Sequence, residues 1–579
     1  MNNGNVTLNT AGNAGNASFN LTNTRVTSLK TAGNLTVAGT VAATGSLTTE
    51  SAQLVFGTTT VNGALNVSAT GAVTQTASTA LVVTGNTTFN AAGQNITLAE
   101  SGNNFATVLV TSANNVNLRD SNGIILDTST IAGTLNLTAG GPVTDTGNVS
   151  VTGVTTITAG TSDITLDNNN NFSTVSVVSG NAVTLVNSGT LTIAGLSAGA
   201  GGGAVNITAG GLLTVSGAIS TAAQTTATPT GAINLSTTSG DIAVNANLSS
   251  GDSTVAAGTA QTGDIKLVAA GNVVLAGAVN LKTGNASGTT SAIAGALNLT
   301  ATAIAAPGTN ALQTGTAAAS AGNANGGNLN LTATGGAIDN AGAKLNFTIG
   351  AASASGTATQ GLLTALTQGN ANAARLQSGA SFTLASINTT GGAVDLATTA
   401  GAILGTGVIN TTGAAVAGGN VTIASAAGLS AGNIDARGGV NGVNGLAGGA
   451  INLSAIDANL TGGTLKTVGG SGSAGDASAG AGGNVTANIS SATAPRTLTL
   501  GQITANGGAL IGAAAAAAGT TGGKGGDINI TGAGGANVTV SLAGIDTKGG
   551  TGGNGFTALA GGTGGAVATY QTIANSEYR

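Results

Sequence analysis

Along most of the chain a short phrase returns, in which a glycine or small polar residue is followed by an apolar–polar–apolar triplet and another small residue. Early copies are Leu35-Thr36-Val37, Leu65-Asn66-Val67, Ile96-Thr97-Leu98, Val116-Asn117-Leu118 and Leu135-Asn136-Leu137. Later ones include Val205-Asn206-Ile207, Ile233-Asn234-Leu235, Ile265-Lys266-Leu267, Leu297-Asn298-Leu299, Leu329-Asn330-Leu331, Val421-Thr422-Ile423, Ile451-Asn452-Leu453 and Ile528-Asn529-Ile530. Period-two alternation marks a strand with one buried and one solvated face. The middle residue is usually Asn, Thr or Ser, but Lys266 and Asp395 (in Val394-Asp395-Leu396) also stand there. A charge at that position places it in water, so the flanking aliphatics point into a core.

The phrases are regularly spaced. Gly263, Gly295 and Gly327 each open one, at intervals of 32 residues. A longer repeat lies upstream: Asn103-Asn104-Phe105-Ala106-Thr107-Val108 is echoed at Asn170-Asn171-Phe172-Ser173-Thr174-Val175, and the match continues to Leu118 and Leu185. Periods of this size indicate solenoids, propellers or arrays. A phrase of a few residues cannot bury its apolar face alone, whereas like phrases stacked above one another pair their backbones and build a continuous aliphatic column. The pattern therefore predicts an all-β, right-handed parallel β-helix, a solenoid in the form of an elongated rod; the hand follows from the crossover rule for parallel strands. With strands about 4.8 Å apart and 20–32 residues in each coil, such a rod is on the order of 100 Å long. Immunoglobulin-like sandwiches need a wider core and longer periods. Membrane barrels need aromatic girdles, and propellers a blade motif.

The spacing changes along the chain. Residues 1–195 read as strand-dense β-helix with compact turns, and 196–579 as its continuation with longer Gly-rich loops. The insertions at 199–203, 317–327, 438–449, 469–483 and 549–565 read as loops extruded on one side of the stack. The alanine run 513–518 is too short for an independent helix and also reads as loop.

Composition narrows the chemistry. Only 5% of the 579 residues are charged and 2% are aromatic, with no Cys, His or Trp, and the net charge is −5. There are no thiolates for disulfides or metals, and no imidazole to act as a base. No basic patch suits nucleic acid, and no apolar run suits membrane insertion. Small aliphatic side chains fill a thin core more readily than a wide one. The start of the sequence shows no basic and apolar leader, which suggests a removed export signal or an internal piece of a longer protein.

Few residues are candidates for chemistry. Glutamate occurs only at Glu50, Glu100 and Glu577. Asp241, Asp252 and Asp264 each follow a glycine and read as turn residues bonding to local backbone. Asp163 and Asp167, beside Asn168–Asn171, read as turn or ladder residues, with a cation as the competing use. Gly522-Gly523-Lys524-Gly525-Gly526-Asp527 starts like a calcium-binding nonapeptide, but Asn529 stands where the large apolar residue belongs. Phe105 and Phe172 recur at equivalent positions and read as core plugs. No catalytic, cofactor-binding or metal-binding residue is assigned, and the sequence reads as a non-enzyme. An ice-binding face would need a more regular outward Thr array, and a glycan-cleaving β-helix would need an acidic cluster.

The stretch Gly203-Ala204-Val205-Asn206-Ile207-Thr208-Ala209-Gly210-Gly211-Leu212-Leu213-Thr214-Val215-Ser216-Gly217 resembles the repeats of filamentous haemagglutinin-like adhesins, large exoproteins of the two-partner secretion route in Gram-negative bacteria. Similar phrases cover almost the whole chain. The Asn-Pro-Asn motif of that family's secretion domain is absent from this sequence, and no binding residues carry over. The resemblance implies a secreted, cell-surface protein, the structural shaft of an adhesin mediating cell adhesion or the cell–cell and matrix contacts of a biofilm. Its implied partners are host or bacterial surface glycans or proteins, an outer-membrane secretion partner, and the protein itself, end to end or laterally. Head-to-tail stacking into an extracellular filament or sheath is the alternative.

Overall fold

The computed structural model describes residues 4–9, 15–91, 93–276, 278–307, 311–340, 342–370, 372–473, 477–511, 522–534, 536–551 and 567–568. Among them every regular element is a β-strand. The chain divides into two compact units, Met1–Ala256 with Ala260–Ala270, and Ala257–Thr259 with Gly271–Arg579. Most strands belong to a large sheet whose pairings are parallel.

In the first unit, like phrases stack on like. The strands Val183–Asn187, Val205–Ala209, Ile233–Thr237 and Ile265–Val268 pair so that Val183, Val205, Ile233 and Ile265 form one column and Leu185, Ile207, Leu235 and Leu267 another. Two further ladders run through Leu191, Leu213 and Ile242, and through Leu196, Ile219 and Leu248. All these side chains are buried, and the middle residues Asn206, Asn234 and Lys266 are not. Alternation decides which face is buried, and parallel registry places each aliphatic residue over another. Phe105 and Phe172 are buried in the same core.

The second unit follows the same rule. One ladder runs through Leu297, Leu329 and Leu363. A second links Ile304, Ile338, Ala374, Val394, Val421, Ile451, Val485 and Ile528. Phe382, Ile403, Leu429, Leu460, Leu498 and Val540 form a third, and Ile387, Ile409, Ile434, Leu465, Ile503 and Ile545 a fourth. Phe347 and Phe382 meet edge-on with ring centroids 4.9 Å apart.

The insertions differ from the expectation of simple loops on one side. In this unit they leave the ladders at two corners. The segments 284–294, 316–326 and 351–360 precede Leu297, Leu329 and Leu363, whereas 412–418, 437–448 and the described residues 468–473, 477–482, 506–511 and 522–525 precede the ladder of Val421, Ile451, Val485 and Ile528. The first group is itself β-structure. Ala286–Gly288, Ala317–Ala319 and Ala352–Ala354 form one parallel side sheet, and Ser291–Ile293, Asn323–Asn325 and Ala358–Thr359 another. Alanine- and asparagine-rich segments have no alternation to betray a strand, but stacked copies of them saturate one another's backbone groups. Within 438–449, Val440–Asn441 and Asn444–Gly445 pair antiparallel around Gly442, whose φ is 62°. The run 513–518 and most of 549–565 lie outside the described residues.

Candidate functional site

The surface available for recognition is the outward face of the ladders, built from the middle residues of the phrases. Asn234 donates through Nδ2 to Oδ1 of Asn206 at 2.9 Å, and Asn330 to Asn298 at 2.8 Å. The hydroxyls of Thr208 and Ser236 lie 2.9 Å apart one step further along the same strands. Charge enters this face locally. Arg375 meets Asp339 at 2.7 Å and stands in register with Asp395, which meets Lys344 at 2.9 Å. Such a face offers amide and hydroxyl hydrogen bonds, with little net field.

At the corners a second device recurs. A Thr or Ser at the end of one strand donates its hydroxyl to the carbonyl of the glycine that opens the next phrase: Thr221 to Gly231, Ser250 to Gly263, Thr283 to Gly295, Thr411 to Gly419 and Thr467 to Gly483, at 2.7–2.8 Å. At Thr411 and Thr467 the glycine N–H donates back to the threonine carbonyl, closing the neck of the insertion. These glycines also stack. A Cβ on Gly263 would lie 2.2 Å from the Gly231 carbonyl oxygen, one on Gly327 2.2 Å from that of Gly295, one on Gly449 2.2 Å from that of Gly419, and one on Gly483 2.2 Å from that of Gly449. The 32-residue glycine spacing therefore reports a column in which backbone occupies the place of a side chain. The hydroxyl clips were not read from the sequence, although a Thr or Ser preceding the insertion is their signal.

A third set of polar groups lies inside the first unit and is duplicated. Asn103 exchanges two hydrogen bonds with Gln75 and accepts from the Leu81 N–H at 2.8 Å. One repeat later Asn170 donates to Asp145 at 2.6 Å and accepts from the Val149 N–H at 2.7 Å. Likewise Asp120 accepts from the Phe105 N–H at 2.9 Å, and Asn187 from the Phe172 N–H at 2.6 Å. Burial pushes the Asp120 carboxyl above its ordinary range, against the lowering pull of the N–H groups of Asn122, Phe105 and Ser121.

The acidic residues singled out in the sequence do not converge. Asp241, Asp252 and Asp264 each accept, through the backbone carbonyl, a neighbouring N–H, from Leu213, Gln224 and Ile233. Asp163 accepts from Asn181 at 2.9 Å and from the Ala182 N–H at 3.0 Å. The Asp167 N–H donates to Asp145 at 3.1 Å. Glu50 pairs with Lys30 at 2.6 Å, and Glu100 accepts from the Ser78 N–H at 3.0 Å; Glu577 lies outside the described residues. In the glycine-rich run Asp527 faces Lys524 at 3.5 Å, and Ile528, directly after it, is buried. Among the described residues no three carboxylates come together in a group that could hold a metal ion.

Ladders, clips and duplicated networks together define an all-β repeat protein of parallel strands. Residues 43–112 and 113–179 each match the model of a family described as repeats of unknown function (DUF5649). These two matches divide the chain between the duplicated networks, with Gln75 and Asn103 in the first and Asp145 and Asn170 in the second. No curated protein and no solved structure matches the chain.

Proposed function

We propose that each unit winds as a right-handed parallel β-helix, and that the protein is the structural shaft of a secreted bacterial surface adhesin of the filamentous haemagglutinin-like kind, without enzymatic activity. The observation that carries this reading is the registry of the phrases, aliphatic over aliphatic in parallel ladders, with neutral Asn and Thr facing outward. A stack of this sort gains stability from each neighbour and lengthens without changing its cross-section. The right hand follows from the preference of parallel strands for right-handed crossovers. A shaft holds a binding partner, a surface glycan or protein, away from the cell, and a polar uncharged face keeps it in solution.

Negative-stain electron microscopy of the purified chain tests the reading. Separate thin rods are expected, and beads on a string would refute the β-helix. Continuous filaments would replace the shaft with a self-assembling subunit. Adhesion by the intact surface protein should change little between low and moderate salt, since the face carries few charges; loss of binding over that range would speak against the hydrogen-bonding surface.

A further inference from the structure

The two side sheets of the second unit end in an open edge. Ala352–Ala354 and Ala358–Thr359 pair with Ala317–Ala319 and Asn323–Asn325 on one side, and no strand pairs with them on the other among the described residues. The hydrogen bonds show which groups point where. Ala351, Thr357 and Thr359 accept through their carbonyls from the preceding layer, and Ser355 donates to it. Strand alternation then turns the N–H and C=O groups of Ala352, Ala354 and Ala358 toward the open side. The next layer at this corner supplies no partner, because the chain there makes only the short turn from Ser378 to Phe382, closed by the Ser378 hydroxyl on the Ala380 carbonyl at 2.9 Å.

Natural sheets blunt such edges with charge or proline. From Leu345 to Ala374 the chain has neither Lys, Arg, Asp, Glu nor Pro. The one protective device is Gln360, whose amide donates to the Ala352 carbonyl at 2.8 Å and accepts its N–H at 2.9 Å, standing in for a strand at that residue alone. Ala358, Thr359 and Gln360 are exposed. What fits the edge is visible on its other side, where strands of Ala, Ser and Asn from this same chain stack without steric conflict.

We propose that this edge is a homotypic docking site, at which a second copy of the chain adds its own Ala352–Thr359 edge. Two identical edges meeting about a twofold axis run antiparallel, so each copy uses the same patch. The contact is lateral, not end to end, and is independent of the shaft reading. Sedimentation velocity of the full chain over a wide concentration range tests it. A concentration-dependent dimer is expected. Ala358→Lys, which places a charge from each copy on the edge, should weaken it by about tenfold or more, while Gln360→Ala, which uncovers Ala352, should tighten it. Ala354→Pro, which removes an edge N–H, gives a second weakening variant, with the fold of each checked by circular dichroism. A single copy at every concentration overturns the proposal and leaves the edge to a foreign strand or to none. A dimer or larger assembly indifferent to both A358K and Q360A overturns it too, even if rods are seen in the microscope.

Discussion

Substituting Gly483 by Ala tests the glycine column most directly. The new Cβ would stand 2.2 Å from the Gly449 carbonyl oxygen and 2.5 Å from its carbon. Carbon–oxygen contact is comfortable from about 3.3 Å, so the two layers must part by roughly 1 Å. The neck cannot follow, because the Gly483 N–H donates to the Thr467 carbonyl and the Thr467 hydroxyl returns to Gly483, both at 2.7 Å. Losing both hydrogen bonds costs about 1 kcal/mol each, and the overpacking adds about 1–3 kcal/mol. The sum is roughly 3–5 kcal/mol, felt locally because stacked repeats open in segments. Hydrogen exchange read by mass spectrometry should show amides around 449–453 and 483–487 exchanging at least about a hundredfold faster than in the wild type. Gly379→Ala is the control, since nothing lies within 4 Å of its Cβ. If the two variants exchange alike in their own neighbourhoods, the column is not what requires glycine.

Three other substitutions test the polar groups. Asp120→Asn puts beneath Phe105 the residue type that does the same task for Phe172, at Asn187. Because burial raises the Asp120 pKa in the folded state, its contribution is full below the ordinary carboxylate value of 3.8 and is lost as pH rises through the raised one. The wild type should therefore lose stability across that window and Asp120→Asn should not, as measured by urea denaturation at several pH values; parallel pH profiles would contradict the assignment. Thr87 and Thr155, equivalent in the two matched segments, are fully buried, and their hydroxyls have no hydrogen-bond partner among the described residues. Replacing either with Val should stabilise the protein by roughly 1 kcal/mol, and a lower melting temperature would show that the hydroxyl is used. Thr467→Val should cost about 1–2 kcal/mol by leaving the Gly483 carbonyl without its donor; a loss no larger than that of Thr539→Val, the same change at an exposed position, would remove the clip from the account.

The two kinds of information separate cleanly at particular residues. Alternation in Leu297-Asn298-Leu299 or Ile451-Asn452-Leu453 determines by itself that the leucines and isoleucines are buried and the asparagines are not, because a strand presents successive residues to opposite faces. The all-β, parallel-strand class, the burial of Phe105 and Phe172 and the 32-residue spacing of Gly263, Gly295 and Gly327 were legible from the same repeated pattern. The partner of each phrase was not. The phrases are nearly interchangeable, so local pattern cannot say that Thr155 lies between Leu135 and Val175; the lengths of the intervening corners decide that. The side strands at Ala317–Ala319 and Ala352–Ala354 carry no alternation, and they became strands only by stacking on their own copies. The hydroxyl clips, the two separate corners and the open edge at Ala358 likewise depend on which backbone lies in the next layer. Sequence determined which side of each alternating strand is dry, since that requires only the order of residues, whereas the tertiary structure decided what each strand lies against, since that depends on every turn between them.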